Sequence, residues 1–577
     1  MKWPMDATFF QHPKPEWQRR YEALRACFVE RLSADAVAAR FGYTRGYVYI
    51  LKHRFVTGKL DFSEPLPDGT QQQRRRVPRD VRDKIITARR GNLSAGEIVQ
   101  ILSEDGIEIS VRTVERVLAE EGFDKLPRRT RIKIGVTVKG ADIPKRAETV
   151  SLSALDGQRF QSDCAGAFLF APFLAQLDLA GIVKEAGLPG TKVIPALSYI
   201  LSFLALKLLG DERYAHVGEH GFDPGLGLFA GLTTLPKCTA MSTYSYSLDA
   251  VHIQRLQAAF VRRAAKLGLY SSSPIVNLDF HTVPHFGEES VLEKHWAGAR
   301  NKAMKGALTM IAQDADSKLM LYTNADIRRS EADDQVLEFL AFWRKVWRGV
   351  LPTLVFDSRV TSYPKLSQLN AAGVKFITLR RRGGRMIEGI EQLDGWQRIH
   401  IPHDKRKYPN PIVHISTISL PGYDGQLRQV IITGNGREKP AFLITNDFDS
   451  DVALVVGNYA RRWRVENGIA EAVKFFHLNA ISSPILLKVH FDMTLTMIAD
   501  TLYSLLARRL RGFEDCDAPK LYRHFVQGKG IIEVHGNDVA VTFPRRAHNP
   551  VLRSADWSNL PANLFAPAGG NLCLRFS

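Results

Sequence analysis

At 577 residues, with 45% hydrophobic and 24% charged residues, the chain exceeds one ordinary hydrophobic core, and a prior of about 150 residues per domain gives about three to five folded units. A formal net charge of +18 and a pI near 9.6 attract polyanions and disfavour basic partners, so nucleic acid is the expected partner. Five scattered cysteines without a Cys-x-x-Cys pair argue against a disulfide framework or a zinc ribbon and fit a reducing cytosol.

The N-terminal segment MKWPMDATFFQHPKPEW carries no secretory pattern. Residues 1–150 hold 29 Lys+Arg against 20 Asp+Glu, so the basic charge is weighted toward this end. In residues 33–55, Ser33 and Thr44 can cap two short helices, with Val37, Ala38 and Phe41 inward on the first and Val48 and Leu51 on the second. That is the outline of a helix-turn-helix, whose second helix would offer Arg45, Tyr47, Lys52 and Arg54 to a major groove. An ordinary helical hairpin has the same pattern. A basic, Pro- and Gln-containing linker with Arg74, Arg75 and Arg76 follows. The pattern then recurs: Ser94 and Glu97 form a capping box before Ile98, Ile101 and Leu102, and Ser110 caps a helix with Val111, Val114, Val117 and Leu118 inward. Arg112, Thr113 and Arg116 are its candidate DNA-facing residues. Arg128, Arg129, Arg131 and Lys133 supply a minor-groove arm or a solvated linker.

Residues 166–270 read as helical and apolar. Within them, Val193–Leu209 carries Lys207 and falls short of the roughly 20 apolar residues of a membrane span; a buried helix and no membrane are expected. From 274 the period changes to short β-rich runs around a helical stretch at 331–348, which argues for an α/β layer. Asp279 and Asp357 each end an apolar run, where a strand can present a carboxylate to a hard cation shared with phosphate oxygens; such residues also open ordinary turns. Arg359 follows Asp357 and is a candidate for a phosphate or a surface ion pair. The cluster LRRRGGR (379–385) suits a DNA backbone track or a soluble loop. Residues 385–446 read as strands, an all-β insertion holding Trp396, and helices resume to about 510. The strand-like pieces GIIEVHG and VAVTFPRR mark the tail, 513–577.

In YARRWRVENGIAEAVKFFHL, Tyr459, Arg462 and Glu466 recur at spacings of three and four, which puts them on one helix face. Glu471, five residues on, turns to another face. His281, His285 and His295 lie near Asp279 but lack zinc-site spacing.

The phrases LDFHT, LVFDSRVTS and YARRWRVENGIAE together resemble bacterial insertion-sequence DDE transposases with an RNase H-like (retroviral-integrase-like) catalytic domain, a β-strand insertion and a YREK signature. The resemblance covers about residues 165–510. It implies an α/β RNase H-like domain in two parts (271–384 and 447–512) around the insertion (385–446). Before it would come helix-turn-helix domains at 1–62 and 79–135, with linkers at 63–78 and 136–165. It also implies that Asp279, Asp357 and Glu466 hold two Mg²⁺ ions, with Mn²⁺ able to substitute, while Tyr459 and Arg462 contact DNA phosphates. The signature lysine would fall at 473, where Val473 stands; Lys474 is the nearest candidate. In relatives with β insertions a tryptophan receives a flipped base, a role open to Trp396 beside that of packing the insertion. The implied activity is cut-and-paste strand cleavage and transfer on double-stranded DNA, at terminal inverted repeats and target, by a homodimer in the cytoplasm at the bacterial nucleoid. The alternatives are a DNA-binding regulator or host-adopted descendant without strand transfer, and a nuclease of the same fold.

Overall fold

A computed structural model describes residues 15–58, 60, 77–90, 93–123, 146–272, 274–286, 292–297, 302–402, 408–436, 439–480, 485–561 and 569–577. The chain divides into two compact units, Met1–Ala141 and Asp142–Ser577.

The first unit contains two three-helix clusters. In one, α1 (Glu16–Phe28), α2 (Ala34–Phe41) and α3 (Arg45–Val56) enclose Ala23, Val37, Phe41 and Val48. Ser33 accepts the Ala36 N–H, Thr44 accepts the Tyr47 N–H, and Gly42 at φ +70° ends α2, so caps and a left-handed glycine set the turn. In the other, α4 (Arg79–Arg90), α5 (Ala95–Glu104) and α6 (Val111–Glu120) enclose Val81, Ile85, Ile98, Leu102 and Val114. The Ser94–Glu97 capping box and the Ser110 cap are both formed. Two residues expected inside are exposed: Ile101 flanks the Ile98–Leu102 stripe, and Val111 occupies the first turn of α6. The sequence reading missed α1 and α4, the helices that close each core.

The first strand of the second unit, β1 (Arg159–Ser162), lies in the segment expected to be a linker (136–165). Helices follow, among them α7 (Ala196–Leu208) and α8 (Ala250–Lys266), and both are packed into the main core. A mixed sheet then forms from β2 (Ile275–Pro284), β3 (Lys294–Ala297), β4 (Lys302–Asp314) and β5 (Met320–Ile327). After α9 (Gln335–Val346) come β6 (Thr353–Phe356), α10 (Tyr363–Ala371) and β7 (Lys375–Leu379). β4 pairs antiparallel with β2 and β5, whereas β2, β6 and β7 run parallel.

The expected insertion does not stand apart from this sheet. Residues 384–392 are helical, and β8 (Gln397–Arg398), β9 (Ile412–Ile418), β10 (Leu427–Thr433) and β11 (Ala441–Thr445) extend the sheet through an antiparallel β7–β11 pair. The full order is β3-β4-β2-β6-β7-β11-β10-β9-β8, with β5 beside β4. Val413, Val430 and Leu443 share a core with Val355 and Ile377 of the central strands, which is why these strands join the sheet.

Both faces of the central strands are covered, so they are apolar throughout. Val276, Leu278, Leu354, Phe356 and Phe376 face the main core. Val355 and Ile377 face the opposite side, toward Val452, Val455 and Val456 of α11 (Val452–Ala460). Next come α12 (Trp463–Lys474) and α13 (Leu486–Arg509); α13 is apolar around much of its circumference and is largely buried. Among the described residues no single helix is long and apolar enough to cross a membrane.

The C-terminal segment is also part of this unit. After α14 (Ala518–Leu521) and a π-helical turn (Tyr522–Val526), β12 (Gly530–His535), β13 (Asp538–Phe543) and β14 (Asn571–Phe576) form a four-stranded sheet with β1. Phe160 of β1 opposes Ile532 of β12, so the expected linker and tail are the two ends of one sheet.

Candidate active site

The site follows from strand parity. Side chains alternate along a strand, so Asp279 shares the face of Ile275, and Asp357 that of Val355, both toward α11. The parallel register Leu278↔Phe356 sets the two aspartates side by side, one residue further on. Asp357 lies just past the end of β6, as expected. Asp279 does not end its strand: β2 continues to Pro284 because β4 pairs with it along residues 276–284. The neighbouring β6 stops at Phe356, which leaves Asp279 at the sheet margin.

The expected single helix carrying Tyr459, Arg462 and Glu466 is two helices. α11 ends at Ala460, and α12 starts at Trp463. The break coincides with a tertiary anchor, since the Arg461 carbonyl accepts a bond from Asn277 Nδ2 at 3.4 Å. Arg461 and Arg462 both keep right-handed helical backbone angles, so the rotational phase is nearly preserved and the three side chains still converge.

Arg462 links the acids. Its Nη1 donates to Asp279 Oδ2 at 3.2 Å and its Nη2 to Glu466 Oε1 at 2.5 Å. The guanidinium carbon lies 5.9 Å from the centre of the Tyr459 ring. The Ser358 hydroxyl donates to Asp357 Oδ1 at 3.1 Å. Burial pushes the Asp279 carboxyl up to about 6; Arg462 opposes this, while the negative charges of Glu466 and Asp357 add to it. Arg462 is held above its ordinary value: burial acts against its charge, and Tyr459, Asp279, Glu466 and Asp357 outweigh burial. Three carboxylates thus face one guanidinium, which leaves the cluster net negative. Gly468 brings α12 close to β4, where a Cβ would meet Gln313 Nε2 at 2.8 Å.

Among the described residues no group of three or more His, Cys, Asp or Glu side chains stands ready to hold a metal ion. The reason is visible in the geometry: Arg462 lies between Asp279 and Glu466 and satisfies both. The all-oxygen donors and the surplus negative charge nevertheless suit a hard divalent cation.

The other expected residues are spread more widely. Lys474 is exposed at the end of α12, while Val473 packs against the main core; no lysine joins the cluster from this helix. Glu471 faces away, accepting the Ala518 N–H at 2.7 Å. Arg359 is exposed. Trp396 is half-buried; its Nε1 donates to the Leu393 carbonyl at 2.7 Å and its ring packs 5.5 Å from His414. His281 lies 2.8 Å from Asn479 Oδ1, and burial lowers its proton affinity. In the N-terminal unit Arg45 and Arg112 are exposed, whereas Lys52 is half-buried over Phe28 and Tyr47 packs on Tyr43. The outer side of α3 therefore presents Tyr49 and Ile50 beside Arg45, because Tyr47 and Lys52 are drawn inward by aromatic neighbours. Arg116 is half-buried and pairs with Glu120. Arg128 and Arg129 lie outside the described residues, as do Arg74, Arg75 and Arg76.

Sequence reading missed Asn277 and Ser358, which position Arg461 and Asp357. Asn277 was within reach, since two residues before Asp279 on a strand means the same face. A cleft of about 670 Å³ adjoins the helix junction, lined by Ile401, Leu454, Gly457, Arg461, Trp463 and Arg464.

Carboxylates gathered at the margin of a mixed sheet beside an arginine and a tyrosine make a site for phosphate oxygens and hard cations. Residues 270–502 match the family model described as Transposase DDE domain. Such a domain implies an RNase H-like fold, with which the mixed sheet is compatible, and a nuclease or transposase activity on DNA. No curated protein matches the chain.

Proposed function

We infer that the protein is a cut-and-paste DNA transposase whose Asp279, Asp357 and Glu466 bind divalent metal and cleave and join DNA strands. The observation that carries this reading is the bridging of Asp279 and Glu466 by Arg462, with Asp357 beside Asp279 in the strand register, within the segment that matches the transposase family. The donor set is hard and anionic, which favours two Mg²⁺ ions, with Mn²⁺ as a substitute. When bound, the ions activate the attacking water or 3′-OH and stabilise the leaving oxygen. Asp279, Asp357 and Glu466 would hold the ions, and Arg462, which bonds Asp279 and Glu466 here, would then be free to offer its fork to a phosphate. The β2 backbone fixes Asp279, Ser358 orients Asp357, and Tyr459 lies beside the guanidinium. Asp279 must lose its proton to act as a ligand, so activity should fall as the pH drops below about 6.

The N-terminal clusters are assigned to terminal inverted repeats as helix-turn-helix domains, with α3 and α6 as reading helices. Arg45 and Arg112 are the strongest phosphate or base contacts by exposure; Lys52 and Arg116 are secondary. The Arg45→Ala/Arg112→Ala variant of the full chain should bind terminal DNA about tenfold or more weakly and reduce the salt dependence by about two phosphate contacts. Unchanged binding in gel-shift titrations across salt concentrations would contradict this assignment. Joining two element ends requires two active chains, hence a homodimer in the synaptic complex on the bacterial nucleoid.

One observation favours a second reading, a DNA-binding descendant without strand transfer: no three-donor metal group stands preformed among the described residues. Strand joining with supplied 3′-OH ends in Mg²⁺ separates the readings. Joined products support the transposase, cleavage without joining indicates a nuclease, and binding alone indicates the regulator.

A further inference from the structure

We propose that Lys520, Arg523, Arg545 and Arg546 form a further DNA-contact surface at the C-terminal end of the chain, addressed to the phosphate backbone of a duplex. The residues come from α14, the π-helical turn and the segment after β13. Arg546 Nη2 donates to the Arg523 carbonyl at 3.4 Å, and its guanidinium lies over Gly528, where a Cβ would come within 2.6 Å of Nη1. Two imidazoles lie in the same cluster: the rings of His524 and His548 are 4.3 Å apart. Phe513 packs against both at about 6 Å, and Lys520 stands 5.5 Å from the Phe513 ring centre. The π-helical turn is a rare geometry that is enriched at functional sites.

Between residues 518 and 553 the sequence holds six Lys or Arg and two Asp or Glu. Among the described residues Lys520, Arg523, Arg545 and Arg546 make no ion pair, whereas Lys529 pairs with Asp163 and Arg159 and Arg575 pair with Glu533. Of the nearby acids, Asp515 faces Lys318, while Asp517 and Glu514 accept the backbone N–H groups of Lys520 and Gly512. The His524 imidazole is held below its usual proton affinity by burial, then by His548, Lys520, Arg523 and Arg546, which places those cations within electrostatic reach of one ring. Cations gathered without acids repel one another, and a row of phosphates offsets that repulsion. Arg523, Arg545 and Arg546 add forked donors that match phosphate oxygens.

The choice of DNA over another polyanion rests on the transposase reading. The test uses the full chain with Lys520→Gln/Arg523→Gln/Arg545→Gln, all exposed positions, beside a charge-retaining Lys520→Arg/Arg523→Lys/Arg545→Lys control. Affinity for a duplex of unrelated sequence is measured across salt concentrations. The neutral variant should bind about tenfold or more weakly, with a log–log salt slope shallower by about two to three, since each lost phosphate contact removes about 0.9; the control should bind like wild type. Wild-type affinity and slope in the folded neutral variant would overturn the proposal while leaving the carboxylate site untouched. A variant that loses binding to duplex RNA but not to duplex DNA would also overturn it. Failure of the wild type to bind any DNA would remove the transposase reading together with the proposal.

Discussion

Asp279→Asn is expected to lose strand cleavage by about 10³-fold or more and, in metal-free buffer at pH 8, to be more stable than wild type. The activity loss follows from removing a charged metal ligand, since metal ions supply several kcal/mol of charge stabilisation in such reactions. The stability gain follows from linkage. Asp279 titrates near 6 in the folded chain against an ordinary 3.8. Below about pH 4 both folded and unfolded states hold the proton. Between about 4 and 6 the folded state keeps a proton that the unfolded state has lost, so stability falls as the pH rises, and above 6 the full cost is present. That cost is roughly 2 to 3 kcal/mol at most, and asparagine removes it. Denaturant unfolding at pH 5 and pH 8 checks the sign: the gain should be present at pH 8 and shrink at pH 5. A variant less stable at pH 8 than wild type would show that the Asp279 charge is favourable as folded.

Arg462→Ala is expected to have the opposite effect. Its guanidinium bonds both Asp279 and Glu466 and is itself largely buried. Removing it leaves Asp279 buried beside two like charges, so that carboxyl moves further up and the folded state weakens at pH 8 by roughly 2 to 3 kcal/mol. The loss should diminish at pH 5, where Asp279 is protonated. Saturating Mg²⁺ should restore much of it, since a ligand at 100 times its dissociation constant stabilises by about 2.7 kcal/mol. Cleavage should still fall by about 10²-fold, because the phosphate fork is gone. Arg462→Lys should be intermediate, as an ammonium lacks the fork. Equal stability of Arg462→Ala and wild type in metal-free buffer would mean that Arg462 does not compensate the cluster.

Much of the site was legible because it depends on local periodicities. Period two along β2 and β6 fixes which face the aspartates take, and spacings of three and four align Tyr459, Arg462 and Glu466. The helix break was not legible, because it is anchored through Asn277 from a strand distant in sequence. It did little harm, since Arg461 and Arg462 stay helical in backbone. Pairings between remote segments carry no local signal. The β7–β11 pair, which merges the expected insertion into the central sheet, and the β1–β12 pair, which unites the expected linker with the tail, are of this kind. Exposure was only partly legible: Arg45 and Arg112 face solvent, but Tyr47 and Arg116 are drawn inward by Tyr43 and Glu120.

The central claim is that Asp279, Asp357 and Glu466 form one metal-dependent cleavage site. Its most direct test is incubation of wild type and Asp357→Ala with a plasmid carrying the DNA ends that flank the gene, with and without Mg²⁺, followed by mapping of the breaks. Cleavage at the element borders that requires Mg²⁺ and disappears in Asp357→Ala is the predicted result. Specific binding of those ends by wild type without cleavage in either Mg²⁺ or Mn²⁺, or border cleavage that persists in Asp357→Ala, would contradict it.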